Sequence, residues 1–162
     1  MAKKILLPLF ALLVLYLGIG LVIRFFASDE TRIRWLVAEM EEAYNAGRPG
    51  SCVGPLAKAW RHEGYELDRE MLLGALFQAA REREKETRQL RSKVDVDEDA
   101  VEVVVNGEHA TLSTRAVFWR LRAGSWEQSW HLRIQADLVD GEEGWKIVKS
   151  RHEDLAGTHL GR

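Results

Sequence analysis

Six side chains spread over residues 44–137 are candidates for acid–base chemistry. A carboxylate base beside a tyrosine or a protonated acid can abstract a proton next to a carbonyl group and stabilise the oxyanion that forms. No defined spacing joins these six residues, and a catalytic site has to be argued from groups that converge. We therefore predict no catalytic residue among them. The six are Tyr44, Tyr65, Asp68, His109, His131 and Asp137.

A second set of residues is better suited to binding than to catalysis. Trp119 and Trp126 lie on neighbouring predicted strands near a hairpin, and large aromatic rings at an open mouth can bind an apolar ligand or a partner peptide. His131 occupies a polar position of an alternating strand, and Tyr44 lies on the apolar stripe of a predicted helix. We expect contacts with a ligand or partner to involve Tyr44, Trp119, Trp126 and His131.

The pattern of metal-ligating residues does not predict a metal site. The five histidines do not fall at the spacings of zinc ligands, and Cys52 is the single cysteine of the chain. Cys52 therefore cannot form an intramolecular disulfide. We expect neither a metal nor a cofactor.

An uncharged run of 19 residues, Ile5–Ile23, dominates the beginning of the chain. A helix of this length is about 28 Å long, which matches the hydrocarbon thickness of a bilayer. A cleaved signal peptide would have a shorter apolar stretch and a small-residue cleavage site, but here bulky Phe25 stands two residues before Ala27. The sequence predicts a single-pass anchor at residues 1–27, with the lipid bilayer as partner and a cleaved signal as the alternative.

The charges that flank this run bear on its orientation. Lys3 and Lys4 favour a cytoplasmic N-terminus, whereas Arg24, Arg32 and Arg34 favour the reverse. Because long domains are translocated largely regardless of their charge, we expect the rest of the chain on the far side. The predicted location is the inner (cytoplasmic) membrane, with a periplasmic or extracytoplasmic domain.

Residues 28–154 have the length of one domain, followed by a loose tail at 155–162. The net charge of the chain is −2, and the anchor contributes positive charge, so the domain itself is acidic. Nucleic-acid binding depends on neutralising phosphates with basic residues. The sequence therefore argues against a nucleic-acid partner.

The first half of the domain reads as three helices. The first contains Ile33, Leu36 and Met40 at helical spacing. The second is expected to begin at Ser51, with Leu56, Ala59 and Trp60 on its buried side. The third follows Asp68, whose carboxylate is a good N-cap.

The second half of the domain alternates apolar and polar residues with the period of strands. Asn106-Gly107 is a strong two-residue hairpin turn. The clearest strand carries Trp130, Leu132, Ile134, Ala136 and Leu138 on one side. The predicted fold class is α+β: a transmembrane helix, then three helices packed on a curved antiparallel sheet that forms a cone.

Three segments of this sequence resemble the nuclear transport factor two-like superfamily, which has such a cone fold. They are Glu42-Ala-Tyr-Asn-Ala-Gly47, Val103-Val-Val-Asn-Gly-Glu-His-Ala-Thr-Leu112 and Leu138-Val-Asp-Gly-Glu-Glu-Gly-Trp-Lys-Ile-Val148. The superfamily includes enzymes, ligand-binding proteins and membrane-anchored assembly scaffolds, so the resemblance implies the fold and leaves the function open.

The expected function combines the anchor with the cone domain. We expect a membrane-anchored, non-catalytic binding or scaffold domain that recognises a protein partner or an apolar ligand through its sheet or its cone mouth. The resemblance also implies a homodimer formed through the sheet. The alternative is a small-molecule-binding or isomerase- or cyclase-like enzyme that uses the cone interior.

Overall fold

The structure is a computed structural model and describes residues 27–157. The predicted anchor, Ile5–Ile23, lies outside the described residues and stays a prediction. Within residues 27–157, no helix is both long enough and apolar enough to span a membrane.

The described helices lie in the first half of the domain. Helix α1, Asp29–Asn45, begins after Ser28, whose hydroxyl accepts a hydrogen bond from the Thr31 amide. Helix α2 is the single turn Pro49–Val53. Helix α3, Arg69–Arg81, is capped by the Asp68 carboxylate, which accepts from the Met71 amide at 2.9 Å. Asp68 therefore caps α3 as predicted.

Within the described part of the chain, six strands form one curved sheet. Their bounds are β1 Leu56–His62, β2 Ser92–Val96, β3 Glu102–Asn106, β4 His109–Arg122, β5 Ser125–Gly141 and β6 Gly144–Gly157. The strand order is β1-β6-β5-β4-β2, and β3 pairs with β4 beside β2. The long strand β4 is thus bordered by two short strands, β2 along residues 116–120 and β3 along residues 109–113.

The prediction that Leu56, Ala59 and Trp60 form the buried side of a helix is wrong. They lie on strand β1, where Leu56 and Trp60 are buried. A spacing of four places two residues on one face of a helix, but it also places them on one face of a strand. Helix α2 ends at Val53 with Gly54 as its C-cap, and Pro55 has no backbone N–H with which to continue the helical hydrogen bonds.

The sheet is mixed, which corrects the prediction of an antiparallel sheet. Strand β1 pairs parallel with β6, while the other pairings are antiparallel. Parallel neighbours need a long crossover, and here the crossover contains four other strands of the sheet. Strand β6 also continues to Gly157, with Ala156 and Gly157 paired to β5, so the predicted loose tail does not begin at residue 155.

The two faces of the sheet differ in their surroundings. On the inner face, Ala110 pairs with Leu138 and Leu112 pairs with Ala136, and all four side chains are buried. Helix α1 packs on this face through Ile33, which is fully buried in the same hydrophobic core. The residues that alternate with these form the outer face.

Helix α1 is tied to the edge of the sheet by the amide side chain of Asn45. Its Nδ2 donates to the Val94 carbonyl oxygen at 2.7 Å, and its Oδ1 accepts from the Val94 amide at 2.8 Å. This pair of bonds satisfies the backbone N–H and C=O of Val94 on the side of β2 that faces away from β4.

Candidate functional site

A continuous series of aromatic rings lines the inner face of the sheet, and we call it the inner aromatic chain. Tyr44 meets Phe118 edge-on with ring centroids 5.6 Å apart, and Phe118 lies 5.7 Å from Trp130. Trp130 meets His152 edge-on at 5.0 Å, and His152 lies 4.8 Å from His62. The chain connects α1 to the end of β1 through three different strands.

The two histidines at the end of this chain share a hydrogen bond. His62 Nε2 and His152 Nδ1 are 2.8 Å apart, so one nitrogen donates and the other accepts. Burial, reinforced by the neighbouring His152 ring, lowers the pKa of His62 and favours its neutral form. His62 Nδ1 is buried and has no hydrogen-bond partner among the described residues.

Tyr65, Asp154 and Trp130 surround the histidine pair. The Tyr65 ring stacks on His152 at 5.4 Å and is itself half exposed. The Asp154 carboxylate accepts from Trp130 Nε1 at 2.8 Å and lies 3.7 Å from His152 Nε2. A carboxylate, two imidazoles and a phenol therefore converge on one end of the inner face, which is a set of groups that can move protons.

A second aromatic cluster lies on the outer face, and we call it the tryptophan patch. Lys93 Nζ lies 5.3 Å from the ring centroid of Trp119 and 5.5 Å from that of Trp126. Leu121 pairs with Trp126 across β4 and β5 and is 4% exposed, so it forms the buried floor of the patch. A cation between two indole faces gains attraction from both ring quadrupoles.

The four residues predicted for binding divide between these two faces. Trp119 and Trp126 come together in the tryptophan patch, as neighbours of Lys93. His131 lies on the outer face, paired with Val117 of β4 and Ala156 of β6. Tyr44 faces the opposite way, and burial raises the pKa of its hydroxyl.

The six residues considered for acid–base chemistry do not gather into one group. Tyr65 joins the histidine pair, whereas Asp68 caps α3. His109 lies at the β3–β4 hairpin, paired with Val139. Asp137 and His131 lie on the outer face of β5, away from Tyr65 and Tyr44.

Sequence reasoning missed the residues that do converge, which are His62, His152 and Asp154. His62 and His152 are 90 positions apart and meet because β1 and β6 are parallel neighbours. Because the sequence predicts a helix that includes residues 56–60, it does not place His62 in the sheet. The available signal was the Trp60-Arg-His62 spacing, which puts two rings on one face of a strand.

Comparison with known proteins identifies the fold. No family model matches the chain, and no curated protein matches it. Among solved structures, an NTF2-like protein with a cystatin-like fold from Novosphingobium aromaticivorans aligns with a TM-score of 0.67 and 17% identity, over 90% of this chain and 92% of that one. An NTF2-like superfamily protein from Salmonella enterica aligns with a TM-score of 0.58 and 15% identity, over 83% and 96%.

A protein of unknown function from Mycobacterium tuberculosis is also similar, with a TM-score of 0.64 and 18% identity over 76% of this chain and 70% of that one. At such identities the likeness shows the fold alone. The domain therefore has the α+β cone fold of the nuclear transport factor two-like proteins, as the sequence predicted. Its function has to be argued from its own surfaces.

Proposed function

We propose that this chain is a non-catalytic binding domain that engages a protein partner through the outer face of its sheet. The observation that carries the proposal is the tryptophan patch, where Trp119 and Trp126 flank Lys93. The described helices pack on the inner face, so the patch lies on the face that they leave open. Tryptophan is enriched where protein surfaces bind partners, because one side chain buries a large apolar area.

The surroundings of the patch fit a protein rather than a nucleic acid. Ion pairs lie on the same face as the patch, including Lys93 with Asp95 on β2 and Arg133 with Glu153 between β5 and β6. A phosphate backbone would require an excess of basic residues, whereas the chain is slightly acidic. A mixed polar rim around an aromatic centre is the usual anatomy of a protein interface.

We further propose that residues 5–23 hold this domain at a membrane, as the sequence predicts. The support is the length and apolar character of that run. An anchored binding domain meets its partner in a layer near the bilayer, so a weak contact on the sheet gains from high local concentration. A scaffold role follows from this arrangement.

A site-specific crosslinking experiment tests the outer face. A photoreactive residue at Gln128, which pairs with Trp119 and is exposed, should form adducts with the partner in intact cells. The same residue at Gln78, on the exposed side of α3, is the matched control. Replacing Trp119 and Trp126 by serine should abolish the Gln128 adduct and leave the chain folded.

The mass of the adduct identifies the partner. An adduct of twice the chain mass would make the partner a second copy, in agreement with the homodimer that the resemblance implies. A Gln128 adduct that persists in the double serine variant would refute the role of the tryptophan patch.

A second candidate function rests on the histidine pair. His62 and His152 at 2.8 Å, with Asp154 and Tyr65 beside them, could bind a small apolar ligand with a polar group, or perform acid–base chemistry on it. This is the ligand-binding or isomerase-like alternative. The convergence of these polar groups on one end of the inner face favours it, because acid–base chemistry needs groups that lie within reach of each other.

Imidazole resonances distinguish the second candidate from the first. A ligand of the inner face should shift the signals of His62 and His152 and should leave His109 unchanged, because His109 lies at the β3–β4 hairpin. A ligand that shifts all three signals equally would argue against a specific inner site.

A further inference from the structure

Two adjoining rows of side chains cross the outer face of the sheet at right angles to the strands. The first row runs from Glu102 on β3 through Ser113 on β4 and Gln135 on β5 to Arg151 on β6. Each is a cross-strand partner of the next, so all four side chains share one face. We call this the charged row, because it begins with a carboxylate and ends with a guanidinium.

The second row lies beside the first. It runs from Val104 through Thr111 and Asp137 to Lys149. Together the rows line a groove of about 390 Å³, with Glu63 at the same end as Arg151 and Lys149. The groove is large enough for a few residues of a peptide and too polar for a purely apolar ligand.

The charges at the two ends of the charged row are not paired with each other. Arg151 Nε donates to Gln135 Oε1 at 2.6 Å, which holds its guanidinium over the groove. The Glu63 carboxylate is ion-paired with Lys149 and lies near enough to Arg151 to interact with its charge. Glu102 forms no ion pair within residues 27–157. The floor between them is a hydroxyl and an amide, which can donate and accept hydrogen bonds.

The distance between the two ends sets the spacing of a complementary ligand. Three strand-to-strand steps separate Glu102 from Arg151, which is about 14 Å at roughly 4.8 Å per step. An extended peptide advances about 3.4 Å per residue, so about four residues cover this distance. Side chains four apart in an extended segment point to the same side.

We propose that this groove binds an extended, polar peptide segment that carries a basic and an acidic residue four positions apart. The basic side chain lies against Glu102, the acidic side chain lies against Arg151, and a small polar residue midway contacts Ser113 and Gln135. This inference rests on the proposed function, since it names the chemistry of the partner segment that the outer face recognises. Charge complementarity selects the segment, and the register across the strands sets its spacing.

The test uses the full-length chain in detergent and a blocked peptide, Lys-Thr-Ser-Thr-Glu, without terminal charges. The amide signals of Ser113 and Gln135 should shift in a titration with this peptide. The peptide Lys-Thr-Glu-Thr-Ser has the same composition but about half the charge separation, and it should bind about fivefold more weakly because only one ion pair can form.

Charge exchange on the protein provides the matched variants. Glu102→Lys and Arg151→Glu should each weaken Lys-Thr-Ser-Thr-Glu by about fivefold. The double variant Glu102→Arg with Arg151→Glu should restore binding, because the peptide then lies in the opposite direction. Both side chains are exposed, so these variants keep the fold.

Three results would overturn the inference. The first is equal affinity for the two peptides. The second is a double variant that binds no better than the single variants. The third is a dimer of the wild-type chain that Glu102→Lys dissociates, because a second copy would then occupy the groove. If peptide binding fails while the Gln128 adduct persists, the groove inference fails and the proposed function stands.

Discussion

His62 on β1 and His152 on β6 are joined nitrogen to nitrogen at 2.8 Å, across the parallel pair of strands. The bond lies beside a second link between the same strands, from the Glu63 amide to the Ser150 carbonyl oxygen at 2.7 Å. Two neutral imidazoles can share this hydrogen bond, whereas two imidazolium ions repel each other. The end of β1 is therefore held by a contact that depends on proton concentration.

The domain should lose stability at mildly acidic pH because of His62. Its pKa is lowered in the folded state, first by burial and then by His152, so the unfolded chain binds this proton at a higher pH. The stabilisation is present above about pH 6.5, the ordinary histidine pKa, and is lost as pH falls from there through the folded pKa. Chemical denaturation at about pH 7.5 and about pH 5.5 measures the loss.

Two variants separate this effect from general acid sensitivity. His62→Gln should show a smaller loss of stability between the two pH values, whereas His109→Gln, at a hairpin, should behave as the wild type. Glu63, whose pKa is lowered from its ordinary value of 4.5 by its hydrogen bond to Lys149, stabilises the fold throughout this range and loses that contribution only at lower pH, so it does not change between the two measurements. An unchanged pH dependence in His62→Gln would contradict the assignment.

Trp145→Ala should destabilise the domain by about 3–5 kcal/mol, as deletions of buried large aromatic residues do. Trp145 is 6% exposed in the main core, and its Nε1 donates to Asp29 Oδ1 at 3.2 Å. Trp145→Phe keeps most of the packing and loses that bond, so it should cost about 1 kcal/mol. Denaturant unfolding gives both values, and a loss below about 1 kcal/mol for Trp145→Ala would disprove the burial.

Asn45→Ala should cost about 1–3 kcal/mol, because it leaves two backbone groups of Val94 without their partners. The matched control is Gln78→Ala on the exposed side of α3, which should change stability by less than about 0.5 kcal/mol. Hydrogen exchange at the Val94 amide reports the same bond locally. Protection of that amide that survives Asn45→Ala would show that the side chain is not its partner.

The full chain should fractionate with membranes and resist carbonate extraction, because residues 5–23 are long and apolar enough to span a bilayer. A soluble, shortened form that begins near Ser28 would show a cleaved signal instead. A periplasm-active phosphatase fused after Arg162 should be active if the domain lies outside the cytoplasm. An inactive phosphatase, with a fluorescent cytoplasmic reporter at the same site, would reverse the orientation.

Local patterns explain which parts of the fold could be predicted. Asn106-Gly107 predicts the β3–β4 hairpin but not its exact turn residues, because Asn106 pairs with His109 and the turn is formed by Gly107 and Glu108. Gly107 has a φ of +60°, which glycine adopts at the first turn position without strain. The alternation from Trp130 to Leu138 predicts β5 and its inner face, because the burial of neighbouring residues follows the same period. Both patterns depend only on residues that are close together in the sequence.

Contacts between distant segments explain what could not be predicted. Whether Leu56 and Trp60 belong to a helix or a strand depends on β6, which supplies the hydrogen bonds of β1 about 90 residues later. The histidine pair depends on the same pairing. Part of the tryptophan patch could be predicted from the sequence, because Trp119 and Trp126 flank one hairpin. The position of Lys93 could not, because Lys93 reaches the patch from β2 through the pairing of β2 with β4.

The parallel pairing of β1 with β6 also has a consequence for synthesis on the ribosome. Among the described strands, β1 has β6 as its neighbour, and residues 147–150 that pair with it are made after β2, β3, β4 and β5. Until those residues leave the exit tunnel, the buried side of Trp60 has no sheet to pack on. Contacts so distant in sequence close slowly, and the nascent chain exposes an unpaired edge while it waits. Among the described strands, β1 is therefore synthesised first but stays unpaired until β6, the last, has been synthesised.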